Sequence, residues 1–207
     1  MNEQLIEQLQ QIGIRLGVNG LPYKLPIHPN LVHFTIGLFI IAIVFDIAGT
    51  LFPLEKPILK FMLLPAWREG FYDVGWYNVV AAAGITFFTV AMGFFEMLLA
   101  QPPLTAKTDW GLGAGTTMIL HGVGGIVLLT SYIGMAVWRG YQRFSWRKGK
   151  KRQVQFSYLV AGVFVMGALY VHGTLGAQLG DDLGFHNTAG NMVRIGENPN
   201  VLLKQSD

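Results

Sequence analysis

The sequence predicts an all-α integral membrane protein: a four-helix bundle preceded by an amphipathic helix on the membrane surface. Three observations carry that expectation. The 207 residues are 52% hydrophobic and only 13% charged, where a soluble domain carries about a quarter charged residues. Four stretches are long enough to cross a bilayer, which needs about 20 predominantly apolar residues. Prolines punctuate their ends, with Pro29 at a helix start, Pro53 at a stop and Pro102-Pro103 after the second stretch.

Taken in order, residues 1–25 form an amphipathic segment. Leu5, Ile6, Leu9, Ile12 and Leu16 recur at helical spacing, with Glu3, Glu7, Gln10 and Gln11 between them. A helix over 2–16 would lie on the membrane or against a partner. It lacks the basic start and compact apolar core of a signal peptide. Residues 26–180 hold the bundle, with spans expected at 31–52, 76–100, 112–138 and 154–179. The connection 54–73 is longer and contains Phe61-Met-Leu-Leu64, which suits a dip into the interface. Residues 181–207 read as an extended, polar, glycine-rich tail, and no internal repeat is evident.

The formal charge of +3 does not point to nucleic acid, because the basic residues cluster in one loop. Arg139, Arg143, Arg147, Lys148, Lys150, Lys151 and Arg152 lie between the third and fourth spans, and Lys56, Lys60 and Arg68 lie in the first connection. Arg15, Lys24, Lys107, Arg194 and Lys204 are scattered over the other side. The positive-inside rule then puts the basic loop in the cytoplasm and both termini outside it; the membrane expected for such a chain is a bacterial inner or thylakoid membrane. The same loop could also dock lipid headgroups or a protein.

Three of the five histidines fall within spans, each with a glycine four residues later. They are His33-Phe-Thr-Ile-Gly37, His121-Gly-Val-Gly-Gly125 and His172-Gly-Thr-Leu-Gly176. A neutral imidazole in lipid needs a partner, and ionisable residues inside spans are rare unless functional. A glycine one turn away leaves a notch beside each ring. At about 1.5 Å per residue, His33 lies roughly 3 Å below the outer boundary, His172 roughly 10 Å and His121 roughly 13 Å. His28 and His186 flank the same side, so all five histidines gather at one face of the membrane.

These residues resemble the hallmark of a bacterial family of small four-span membrane proteins known as a domain of unknown function. The opening stretch His28-Pro-Asn-Leu-Val-His33-Phe carries the resemblance most specifically. An acid closing the second span is matched by Glu96, a histidine early in the third by His121, and Tyr-x-His-Gly in the fourth by Tyr170-Val-His172-Gly173. The resemblance covers residues 26–180. Thr35 stands where the family usually has proline after His-Phe, and Glu96 where it often has aspartate. The amphipathic start and the long first connection are additions. The resemblance implies a four-span fold and no activity, so function has to come from the site.

The donor types suggest b-type haem. There is no cysteine, which excludes thiolate ligation and covalent haem attachment, so any haem is held non-covalently. Low-spin haem in a helical bundle takes two axial imidazoles from facing helices. His121 and His172 match in depth and can face one metal. His28 and His33, five residues apart, point about 140° from one another around a helix. One or two haems are compatible with the set, with His28, His33, His121 and His172 as candidate ligands and Gly37, Gly125 and Gly176 as cofactor contacts. Glu96, at the same level, can pair with an imidazole N–H. Bis-imidazole ligation favours electron transfer over oxygen chemistry.

Other readings stay open at this point. The histidines could be helix-packing partners, with His28 an N-terminal cap, in an accessory membrane subunit without a cofactor. His28, His33, His172 and Met97 could instead hold copper or another transition metal at the outer face. Asp46, deep in the cytoplasmic half of the first span, suits an inner hydrogen-bond network or proton movement. Asp181, Asp182 and His186 read as solvated. The expected partners are the lipid bilayer, a respiratory or photosynthetic redox complex or an outer-face electron carrier, and quinone.

Overall fold

The computed structural model describes residues 4, 8, 27–52, 56–62, 67–99, 105–146 and 153–183. Among these, α1 runs Ile27–Leu51, α2 Pro57–Phe61, α3 Arg68–Leu99, α4 Ala114–Tyr141 and α5 Phe156–Asp181. A π-helical turn, Gln142–Trp146, continues α4. Among the described residues, four helices (α1, α3, α4 with its π turn, and α5) are long and apolar enough to span a membrane. Of the amphipathic segment only Gln4 and Gln8 are described, both helical and exposed. The rest of that segment, and the tail beyond Leu183, lie outside the described residues.

The helix ends differ from the expected ones in two informative places. The second span begins at Arg68 rather than near residue 76, because Tyr72 and Gly75 are buried and extend the packed face. The third runs on to Tyr141 and through the π turn. Arg139 and Arg143 are therefore helical residues and not part of a loop.

The chain divides into two compact units. One comprises residues 31–88 and 127–170. All four spanning helices contribute to its core: Phe39, Ala42 and Ile43 from α1, Tyr72, Val79 and Ala82 from α3, Leu128, Tyr132 and Met135 from α4, and Tyr158, Leu159 and Leu169 from α5. Lipid tails give apolar side chains no reason to prefer one another, so close packing has to hold the helices. The rings of Phe39 and Tyr132 stack with centroids 4.1 Å apart. Gly162 is seated against Ile43 and Gly49 against the Tyr72 ring, places where even a Cβ would collide.

An ion pair is buried in the same unit. Arg139 donates from Nε to Asp46 Oδ2 and from Nη2 to Asp46 Oδ1, both at 3.1 Å, and from Nη2 to the Tyr72 carbonyl at 3.2 Å. Both side chains are fully buried. Tyr72 donates to the Gly49 carbonyl at 2.8 Å, and Gly75 leaves room for the Asp46 carboxylate. Asp46 thus belongs to a hydrogen-bond network, as one of its two expectations had it, with an arginine that the sequence assigned to the cytoplasmic loop. Arg143 pairs with Asp73 at 2.8 Å and lies over the Trp76 ring.

The other unit comprises residues 1–30, 89–126 and 171–207. Ala114, Leu179 and Leu183 form a small core with Ala106 and Met118. Its connection into α4 is a tight turn in which Gly111 has φ 74°, a left-handed value that glycine adopts without strain. Asp182 is tied into this turn, its Oδ2 accepting from the Asp109 N–H at 2.8 Å. That hydrogen bond is itself exposed and adds to the solvated role expected of Asp182.

Candidate functional site

The ends of helices that alternate in direction meet in this second unit, and they bring His28, Glu96, His121 and His172 together in it. His33 belongs to the first unit and is exposed. His186 lies outside the described residues.

His121 and His172 come from α4 and α5, and their rings stack with centroids 4.1 Å apart and planes 2° apart. Each ring also lies against a glycine of the other helix. A Cβ on Gly176 would come within 2.9 Å of His121 Cε1, and one on Gly124 within 2.6 Å of His172 Nδ1. Only a residue without a side chain admits the imidazole at those positions. His172 Nδ1 is buried and has no hydrogen-bond partner among the described residues.

His28 occupies a third seat of the same kind. Its ring lies 2.8 Å from where a Gly93 Cβ would be, and Nδ1 donates to the Thr89 carbonyl at 3.0 Å. In a neutral ring that hydrogen bond puts the proton on Nδ1 and the lone pair on Nε2, the tautomer that a backbone carbonyl imposes on ligating histidines. The bond runs across to α3. Glu96 is buried, 3% exposed, where one reading had it reaching water. Met97 lines the space beside Gly122, its sulfur 3.6 Å from a Cβ built there.

Of the three glycines expected to leave notches, Gly125 and Gly176 do lie beside an imidazole, but it is the imidazole of the neighbouring helix. Gly176 holds His121 rather than serving His172. Gly124, not Gly125, takes the closest approach of His172, with Gly125 at an ordinary 3.9 Å. Nothing comes within 4 Å of a Cβ on Gly37. Thr89, Gly93 and Gly124 were missed in the sequence, although the Gly124-Gly125 pair was a visible signal. Among the described residues, no group of three or more His, Cys, Asp or Glu side chains could hold a metal ion.

The described residues thus define an all-α, four-span integral membrane protein with a histidine cluster in one of its two units. The chain belongs to the family described as predicted membrane protein (DUF2231), whose model matches residues 24–189. No curated protein and no solved structure matches it.

Proposed function

We propose that this protein is a membrane-embedded b-type haem protein for electron transfer, with His121 and His172 as the principal haem-binding residues. The observation behind this reading is the meeting of two imidazoles from separate spanning helices in one unit. The donor chemistry fits: imidazole nitrogens without thiolates, a buried His172 Nδ1 that lacks a partner among the described residues, and bare glycine backbone beside the rings. The rings meet face to face, so holding one iron in common requires each to turn its edge toward the metal. A bound haem would supply one-electron chemistry.

The chain's own residues have separate tasks in this reading. The Thr89 carbonyl holds the His28 proton on Nδ1 and orients the ring. His28 and His33, which point about 140° apart around their helix, are candidate ligands of separate haems. Glu96 adds a buried carboxylate in the unit that holds the rings. The exchange partner would be an outer-face electron carrier, a respiratory or photosynthetic complex, or quinone. The membrane would be a bacterial inner or thylakoid membrane, with both termini outside the cytoplasm.

The stacking favours a second reading. Each of the three imidazoles already fills a glycine seat on a neighbouring helix, which is what a pure packing device would do in an accessory subunit without a cofactor. Absorption spectra of the purified protein, oxidised and then dithionite-reduced, separate the two. Sharp reduced bands of six-coordinate haem b support the first reading. A colourless, iron-free protein from haem-replete cells leaves the second.

A further inference from the structure

We propose that the short helix α2 is a surface element that docks on anionic phospholipid headgroups of the bilayer. The helix is only five residues long, Pro57–Phe61, and none of its residues is buried. Its first turn is nonetheless well formed, with the N–H groups of Leu59 and Lys60 donating to the Lys56 carbonyl at 3.0 and 2.9 Å.

At about 100° per residue, Lys56 and Lys60 fall on one side of this turn, and Ile58, Phe61 and Met62 on the opposite side. Those three apolar side chains are 72%, 89% and 59% exposed, so most of each is left uncovered. The turn connects the end of one spanning helix to the start of the next, which sets it at the level of the headgroups. Arg68 Nη2 donates to the Phe52 carbonyl at 3.2 Å and joins the two flanking helix ends. An apolar face sunk into the acyl boundary, with lysines above it, is the arrangement of interfacial helices.

Charge selects the lipid. Arg139 and Arg143 are taken up by Asp46 and Asp73. Apart from these and from Arg68 and Glu69, the sequence at this end of the spans carries Lys56, Lys60, Arg147, Lys148, Lys150, Lys151 and Arg152, against Glu55. Such an excess near the surface attracts anionic headgroups over zwitterionic ones.

Two measurements on the full-length chain test this. In native mass spectrometry, phosphatidylglycerol should be retained in preference to phosphatidylcholine. The double variant Lys56→Gln/Lys60→Gln should lose about fivefold of that preference per lysine. Equal retention of both lipids by the unaltered chain, or an unchanged preference in the double variant, overturns the proposal. Because the chain has no cysteine, a fluorophore can be attached singly at Phe61→Cys or Lys60→Cys. In phosphatidylglycerol vesicles, brominated acyl chains should quench the label at 61, and aqueous iodide the label at 60. If iodide quenches the label at 61, or neither quencher reaches it, water or protein covers that face and the proposal fails.

Discussion

His121 and His172 stack face to face, and each ring lies over a glycine of the other's helix. The reciprocity follows from spacing. Each histidine is followed by a glycine four residues on, one turn along its helix. When two such helices run antiparallel, a register that sets His121 against Gly176 also sets His172 against the Gly124-Gly125 pair. The whole interlock is thus specified by one spacing used twice.

Removing either ring should be the most damaging change for cofactor retention. His121→Ala or His172→Ala should lose at least one haem, measured as haem per protein and as loss of the sharp reduced bands, because an opened axial position weakens retention. His33→Ala should remove a second haem if there is one and otherwise change the spectrum little. His186→Ala should be silent. Intact spectra in both His121→Ala and His172→Ala would remove the basis of the haem reading.

The glycine seats give a test independent of any cofactor. Gly176→Ala and Gly124→Ala put a Cβ within 3 Å of an imidazole atom. Overpacking of that kind costs about 1–3 kcal/mol, readable as a lower midpoint in detergent unfolding. Gly37→Ala, with nothing within 4 Å, should leave the midpoint unchanged, and Gly125→Ala should cost little. Equal tolerance at all four positions would mean that the rings are not seated as described.

The spanning helices were legible because a long apolar run leaves few alternatives for backbone that has to satisfy its own hydrogen bonds in lipid. The histidine cluster was partly legible: helix direction and depth brought His28, His121 and His172 to one end. Which glycine serves which ring was not, since a notch looks the same whether its own helix or a neighbour fills it. Thr89 offered no sequence signal, because it contributes through its backbone carbonyl. Arg139 was misread for a related reason. An arginine near a span end looks like a topology signal, and only its pairing with Asp46 shows it drawn inward.

Topology has a direct readout. A reporter fused after Asp207 should be active only outside the cytoplasm, and one inserted between Lys148 and Lys151 should behave as cytoplasmic, given the basic residues that crowd that connection. The opposite pattern would invert the membrane side assigned to the histidine cluster and to α2.

The buried ion pair should govern stability more than any other polar contact among the described residues. Asp46 and Arg139 are both fully buried and joined by two hydrogen bonds of 3.1 Å. Removing one partner leaves an uncompensated charge, which costs about 3–5 kcal/mol. Asp46→Ala and Arg139→Ala should therefore each lower the unfolding midpoint sharply or reduce the yield of folded protein. Replacing both with apolar residues of similar size removes the charge problem along with the attraction, and such exchanges are often neutral or stabilising. The double variant Asp46→Leu/Arg139→Met should accordingly recover most of the stability that either single change loses. If the double variant is as unstable as the singles, the hydrogen bond from Arg139 to the Tyr72 carbonyl, and not the charge pairing, is what the fold depends on.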